Sequence, residues 1–249
     1  RKEAERVSRH MDSIHINLPF NKLHMLREME NTIRCLDDLR AGQSWSNYLV
    51  NKVISKHVRI SVQGTGADEL FGGYPWRYEA EDYLSIMDKT KLPEGFLKNS
   101  FSIPKNIPKT ILERYQWDID HFLNGLLIVG DRLSMAFGVE ERVPFLDNKL
   151  AEYALRLSPA VKQNKSILRN ATTSYDLSTV KRGFGSPDKQ WMNGPMVENH
   201  IRQELGTSIY LPEYVDMDKI ESLIEARNYP ALWSLLALHY WLKIYADGK

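Results

Sequence analysis

At 249 residues, 43% hydrophobic and 26% charged, the chain has globular composition and enough length for one large domain or two small ones. Its 33 Lys and Arg nearly cancel 32 Asp and Glu, so no overall field recruits nucleic acid or an anionic membrane. Cys35 is the single cysteine, which excludes an internal disulfide and a Cys-rich metal site and fits a reducing, cytoplasmic compartment. The longest apolar run, 231–242, is broken by Ser234 and His239 and is too short to span a bilayer, and no histidine spacing places two imidazoles on one helical face for a metal.

The chain begins within a charged helical stretch, 1–11, rather than on methionine, which leads us to expect further sequence upstream. Residues 13–18 alternate at the period of a strand, closed by Pro19. Leu23, Leu26, Met29, Ile33, Leu36 and Leu39 then mark an amphipathic helix over 22–40 that Gly42 stops. Ser46 is placed to cap a helix carrying Tyr48, Leu49, Val53 and Ile54, which hands over to a strand at 58–62. Helix followed by strand, repeated, predicts a parallel sheet with helical crossovers, in which ligands sit beyond the carboxyl ends of the strands.

From 74 to 117 the aromatics, lysines and prolines read as short helices and loops, a variable surface or a substrate-side lid. Ile119, Phe122, Leu123, Leu126, Leu127 and Leu133 predict a buried helix, after which Asp147 caps the next. Helices are expected at 165–175, at two short segments around Gly194-Pro195, at 217–227 and at 231–246, the last apolar nearly all round and therefore buried. Strand pattern falls away after residue 62. The fold class is α/β and helix-dominated, with a nucleotide-binding part at 1–74 and a mainly helical part at 75–249 of one domain.

Three groups of residues carry chemistry. In Gln63-Gly64-Thr65-Gly66-Ala67-Asp68-Glu69, glycines lacking Cβ let a phosphate or adenosine approach the main chain, and a carboxylate just beyond can hold Mg²⁺ through oxygen. On pattern alone, the same run serves equally well as a strand-to-helix turn with acids favouring the helix start. Asp131, Arg132, Glu140 and Arg142 sit in an apolar neighbourhood that demands charge partners, and form a structural network in the plainer reading, with Glu140 the candidate for a larger role. Lys165 and Lys181 could neutralise charge on a leaving pyrophosphate, although a lone lysine is ordinarily a solvated surface residue.

Together these segments resemble the synthetase half of the glutamine-hydrolysing asparagine synthases. The family's SGEGADELFGGY or SGDGGDELFGGY signature is matched from Gln63 to Tyr74, and its DRMSMAxxxExRxPFLD block from Asp131 to Asp147. A lysine before a hydrophobic residue and Leu-Arg is matched by Lys165-Ser166-Ile167-Leu168-Arg169, and K-x-GFG-x-P…W…GP by Lys181 to Pro195. The closing LWxLLxLExWL helix is recognisable in Leu232 to Leu242, so that order and spacing agree over residues 45–245.

The resemblance implies a PP-loop ATP-pyrophosphatase domain that activates a carboxylate as an acyl-adenylate with ATP and Mg²⁺, after which an amine attacks. By position it implies Asp68 as metal ligand, Gln63, Gly64, Gly66 and Lys181 as nucleotide contacts, and Lys165, Glu140 and Thr65 as catalytic positions. Implied partners are a small carboxylate and ammonia or glutamine-derived nitrogen, a glutaminase domain or subunit and possible homodimerisation, with neither nucleic acid nor membrane. The family's SGGxDS pyrophosphate loop and its glutaminase domain are not matched within this sequence.

Thr65 stands where asparagine-forming members carry Glu or Asp, and Gln63 replaces the usual serine. A threonine hydroxyl cannot serve as a general base near neutral pH without an activating neighbour. Three functions are therefore open: amidation of aspartate or a related acid, lactam or macrolactam formation in specialised metabolism, and an inactive homologue serving as a binding module.

Overall fold

The structure is a computed structural model that describes residues 2–39, 44–81, 83, 92–93, 95–98, 107–173 and 188–246. Helix α1 (Lys2–His10) buries none of its residues. Helix α2 (Lys22–Leu36) starts at Asn21, whose side chain accepts from the Leu23 and His24 amides, and ends at Asp37 in the left-handed conformation. Its end therefore falls before the predicted stop at Gly42, which lies outside the described residues. Helix α3 (Ser44–Ile54) already includes Ser46, which is buried within the helix rather than capping it.

Strand β1 (Ile60–Val62) is shorter than predicted. It pairs in parallel with β2 (Glu140–Arg142), placing Ile60 opposite Glu140 and Val62 opposite Arg142. This second strand corrects the expectation that strands end at residue 62: three residues, two of them acidic and one basic, carry too weak an apolar pattern to be read as a strand. Residues 13–18, conversely, form no strand, and Ile14 is 93% exposed. Their alternation is of the right period, but an extended segment becomes a strand only when a neighbouring strand pairs with it, and Ser13 instead bonds back to Ser8 near the end of α1, its amide donating to Ser8 O at 2.9 Å.

The glycine turn leads into α4 (Ala67–Leu70), and the next turn into α5 (Pro75–Tyr78). Helix α6 (Ile111–Trp117) opens on a capping box between Thr110 and Glu113 and runs into a π-helical segment, Asp118–Leu123. Helix α7 (Asn124–Met135) continues from it. The predicted buried helix is thus one-sided, with Leu123 and Leu133 buried and Leu126 exposed.

Asp147 caps α8 (Asn148–Arg156) as expected, accepting from the Lys149 and Leu150 amides at 3.1 and 3.2 Å. There follow α9 (Pro159–Lys162), α10 (Ser166–Ala171), α11 (Asp188–Trp191), α12 (Pro195–Gly206), α13 (Ile220–Glu225) and α14 (Tyr229–Tyr245).

The main core joins Met25, Met29 and Ile33 of α2 and Trp45 of α3 to Val197, Ile201 and Leu205 of α12 and to Leu232, Leu235 and Leu236 of α14. As predicted, α14 is buried on most of its circumference. A smaller cluster lies beside the candidate site: Leu70 and Phe71, at the end of the glycine-rich segment, pack with Ala154, Phe145, Leu146, Leu150, Ile167 and Leu168. Fully burying a side chain of this kind contributes about 1.5 to 3 kcal/mol. The cluster therefore ties together the segments that carry the candidate site residues. No helix among the described residues is long and apolar enough to cross a membrane.

Candidate active site

The site is built where β1 ends. The Gln63 amide continues the ladder by donating to Arg142 O at 2.8 Å, and the chain then turns through Gly64, Thr65 and Gly66 into α4. Gly66 has φ 91°, and a Cβ there would come within 2.5 Å of Leu146 Cδ2, so both the backbone and the smaller hydrophobic cluster require glycine. Gly64 differs: a Cβ on it would meet no protein atom within 4 Å. The turn is open on that side.

Successive residues of a helix point about 100° apart, so the acidic pair at the start of α4 divides. Asp68 turns outward and meets Lys165, with Nζ 2.9 Å from Oδ1 and the two side chains 22% and 24% exposed. Glu69 turns inward, is 1% exposed, and accepts from the Tyr74 hydroxyl at 2.7 Å. Burial pushes the Glu69 carboxyl above its usual range, while the Tyr74 hydroxyl opposes that rise. The Tyr74 hydroxyl is itself pushed up by burial and then by the Glu69 charge, so it remains the donor.

Lys165 is brought to Asp68 by backbone pairing. The Asn164 amide donates to Gly72 O at 2.8 Å and the Lys165 amide to Phe71 O at 3.0 Å. Both residues hold left-handed φ, 57° and 56°, a conformation uncommon for side-chain-bearing residues. Gly73 makes room for the pair. A Cβ there would lie 1.8 Å from Asp68 Oδ1 and 2.6 Å from Lys165 Cε. Lys162, buried, anchors the other end of the turn by donating to Ala154 O at 3.1 Å with its Nζ 5.0 Å from the Tyr115 ring.

Beneath this surface lies a second charged centre. Arg77 pairs with Asp118 at 2.8 Å with both side chains almost fully buried, and Tyr83 donates to the same carboxylate oxygen at 2.6 Å. The Arg77 guanidinium sits 4.2 Å from the Phe122 ring centroid and 5.4 Å from that of Tyr74. Burial raises the Asp118 carboxyl, and the Tyr83 hydrogen bond and Arg77 counter it. The sequence expectation of a variable surface or lid is corrected for this part: Arg77, Tyr78 and Tyr83 are buried support for Tyr74. An arginine amid Tyr74, Trp76, Tyr78 and Tyr83 was the available signal, since a charge among large aromatics must find a partner.

The remaining predicted residues are placed less centrally. Gln63 and Thr65 are half-buried on the turn itself. Glu140 lies on the exposed row of β2, opposite Ile60, and pairs with Arg142 at 2.8 Å, which lies opposite Val62 beside Gln63. Arg132 donates instead to the carbonyls of Leu36 and Asp37 at the end of α2. These four charges thus divide into a surface pair, a helix-end contact and Asp131, which lies near Glu141. Glu141, on the inner row, is raised by burial and then by Asp131, and packs where a Cβ on Gly130 would sit. Lys181 falls outside the described residues.

No cluster of three or more acidic, histidine or cysteine side chains suited to a metal occurs among the described residues. The donor set fits Mg²⁺ in another way, since that ion is commonly held by one or two carboxylates together with substrate phosphates and water. Asp68, half-buried at the end of an open glycine turn, is a carboxylate of the kind that role requires.

The profile of the family described as asparagine synthase matches residues 1–243. Asparagine synthetase [glutamine-hydrolyzing] 1 of Bacillus subtilis (strain 168) is 24% identical, over 81% of this chain and 43% of its own length. Asparagine synthetase B [glutamine-hydrolyzing] of Escherichia coli (strain K12) is 25% identical, over 70% of this chain and 29% of its own length. The corresponding enzyme of Gallus gallus is 25% identical, over 98% of this chain and 44% of its own length. The chain therefore spans less than half the length of these curated relatives.

Proposed function

Because the chain belongs to the asparagine synthase family, whose profile covers nearly all of it, we propose that it forms the adenylating part of an ATP-dependent amide ligase. In this reaction an oxygen of the acceptor carboxylate attacks the α-phosphorus of ATP and pyrophosphate leaves. Ammonia or an amine then attacks the acyl carbon, AMP departs with the bonding pair, and the amine surrenders a proton. Aspartate or a related acid is the proposed acceptor.

The Asp68–Lys165 pair on the glycine turn is the observation that supports this most directly. Adenylation moves a triphosphate's charge onto a leaving group, and fixed cations placed where charge develops are worth several kcal/mol to such a step. Lys165 supplies that cation on a turn pinned to the same backbone that carries Asp68. Gly64, with open space where a side chain would be, lets a nucleotide approach the main chain. Gln63 and Gly66 complete the nucleotide's side of the turn, and Lys181 adds charge toward pyrophosphate. Asp68 would hold Mg²⁺, which when bound screens the triphosphate.

Thr65 favours a second reading within the same chemistry. Its hydroxyl cannot take the amine proton unaided near pH 7. An amine of the substrate itself, with its proton removed elsewhere, would then close a lactam or macrolactam. In either reading the site is completed by polypeptide beyond these residues, and glutamine-derived ammonia would reach it from a glutaminase domain or subunit.

The test uses the full-length protein with ATP, Mg²⁺ and a panel of acids, following acid-dependent pyrophosphate release and identifying the amide by mass spectrometry. We expect AMP and pyrophosphate in equal amounts, lost in Asp68→Ala and slowed by orders of magnitude in Lys165→Ala. ADP and phosphate as products would exclude adenylation. Absence of ATP binding by calorimetry would turn the assignment toward an inactive binding homologue.

A further inference from the structure

Lys165 reaches Asp68 from a turn with little freedom of its own. Its amide and that of Asn164 are bonded to Phe71 and Gly72, the Ser166 hydroxyl donates to Val161 O at 2.6 Å, and Arg169 Nε donates to Asn164 O at 2.9 Å. With the backbone fastened, only the lysine side chain can move appreciably. That side chain ends 2.9 Å from Asp68 Oδ1, in a position both partly open to solvent and shaped by the missing Cβ of Gly73.

The carboxylate whose Oδ1 Lys165 holds is the one proposed to hold the divalent cation. An ammonium and a divalent ion sharing one carboxylate oxygen would repel each other at a separation of roughly 4 Å, where Coulomb forces are strong in a half-buried site. We propose that Lys165 is a built-in counter-ion of Asp68, exchanged for the metal: the ammonium occupies Oδ1 in the nucleotide-free protein, and metal arrival releases it toward the leaving pyrophosphate. Metal binding and the readiness of Lys165 thereby become one event. Nucleotide lacking its metal would leave Lys165 on Asp68, and the catalytic cation would not engage. This inference rests on the reading of Asp68 as metal ligand.

The experiment measures Mn²⁺ binding to the full-length protein, alone and with a non-hydrolysable ATP analogue, by electron paramagnetic resonance and calorimetry, in wild type, Lys165→Met, Asp68→Asn and the double variant. Lys165→Met is expected to bind Mn²⁺ about fivefold more tightly than wild type, the size of a modest ion pair removed from competition. Because the pair is direct, much of that difference should survive in about 0.5 M KCl, where longer-range fields are screened. Asp68→Asn should lose the site in either background. If Asp68→Asn abolishes Mn²⁺ binding but Lys165→Met binds it no better than wild type, Asp68 remains a ligand and the exchange is wrong. A gain that vanishes with salt likewise overturns the exchange in favour of a diffuse field. Mn²⁺ binding that is absent even with the ATP analogue, or indifferent there to Asp68→Asn, removes the metal assignment and the exchange with it.

Discussion

Gly73→Ala isolates the geometry of the site from the stability of the fold. The added Cβ would lie 1.8 Å from Asp68 Oδ1 and 2.6 Å from Lys165 Cε. To reach even a tight 3.0 Å contact, Oδ1 must retreat by about 1.2 Å, since packed atoms do not interpenetrate. The ion pair, now 2.9 Å, must then open or re-form elsewhere. Gly73 does not have positive φ, so alanine suits its backbone. The atoms it displaces are near the ends of two partly exposed side chains. The stability cost is therefore under about 1 kcal/mol, partly offset by the reduced freedom of the unfolded chain. A displacement of about 1 Å in catalytic groups costs on the order of 100-fold in rate. We expect acid-dependent pyrophosphate release by the full-length protein to fall about that far, with a melting temperature within a few degrees of wild type. A rate within threefold of wild type would refute the reasoning, as would a large loss of folded structure.

Asp118→Ala should destabilise the protein by about 3 to 5 kcal/mol in denaturant titration, because it removes the buried carboxylate that balances the Arg77 charge, whereas the double substitution Arg77→Met with Asp118→Leu should recover much of that loss. If the double variant is no more stable than the single one, the charge pair is not what the interior depends on. Tyr74→Phe removes the donor to buried Glu69 and should cost about 1 to 3 kcal/mol at pH 8. The folded Glu69 carboxyl is raised and Tyr74 holds that rise back, so the penalty should shrink as pH falls and the acid protonates; a penalty independent of pH would separate Glu69 from the effect.

His200 and His239 are both lowered, chiefly by burial, and Glu204 opposes the shift in each. The unfolded chain then binds protons that the folded chain does not. Stability contributed by the neutral imidazoles is complete above the unfolded pKa, about 6.5, and is lost as pH falls toward the folded values. Melting curves of wild type against His200→Gln with His239→Gln should diverge between pH 7.5 and 5, with the variant flatter. Parallel curves would show that the two rings titrate alike in both states.

Much of the architecture could be read from local chemistry. The spacing of Met29, Ile33 and Leu36, and the nearly continuous apolar surface of α14, identify buried helices because a 3.6-residue period has one structural meaning. The same stripe takes in Leu23 and Leu39, which are 43% and 49% exposed, and passes over buried Met25. Asp147 announces its helix because a carboxylate before an amphipathic run has amides to cap. Strands were harder to read. Residues 13–18 show the right alternation and form no ladder, while β2 shows almost no pattern and forms one, because pairing depends on a distant partner.

Within the site, the glycine turn and the Asp68 carboxylate were legible, and Lys165 was singled out without its partner being evident. Their meeting depends on two left-handed residues and on backbone pairing to Phe71 and Gly72 across about 90 residues of sequence, which no local pattern encodes. The inward turn of Glu69 and the Arg77–Asp118 centre were missed for the same reason: burial of a charge is decided by what packs around it.

The proposed chemistry is tested most directly by isotope transfer in the full-length protein. With the acceptor acid labelled by ¹⁸O in its carboxylate and turned over with ATP, Mg²⁺ and the amine donor, an acyl-adenylate delivers one labelled oxygen to AMP when the amide forms. We predict AMP carrying one ¹⁸O alongside unlabelled pyrophosphate, with Lys165→Met slowing the transfer and leaving its destination unchanged. Label recovered in inorganic phosphate alongside ADP, or unlabelled AMP beside newly formed amide, would contradict activation by adenylation.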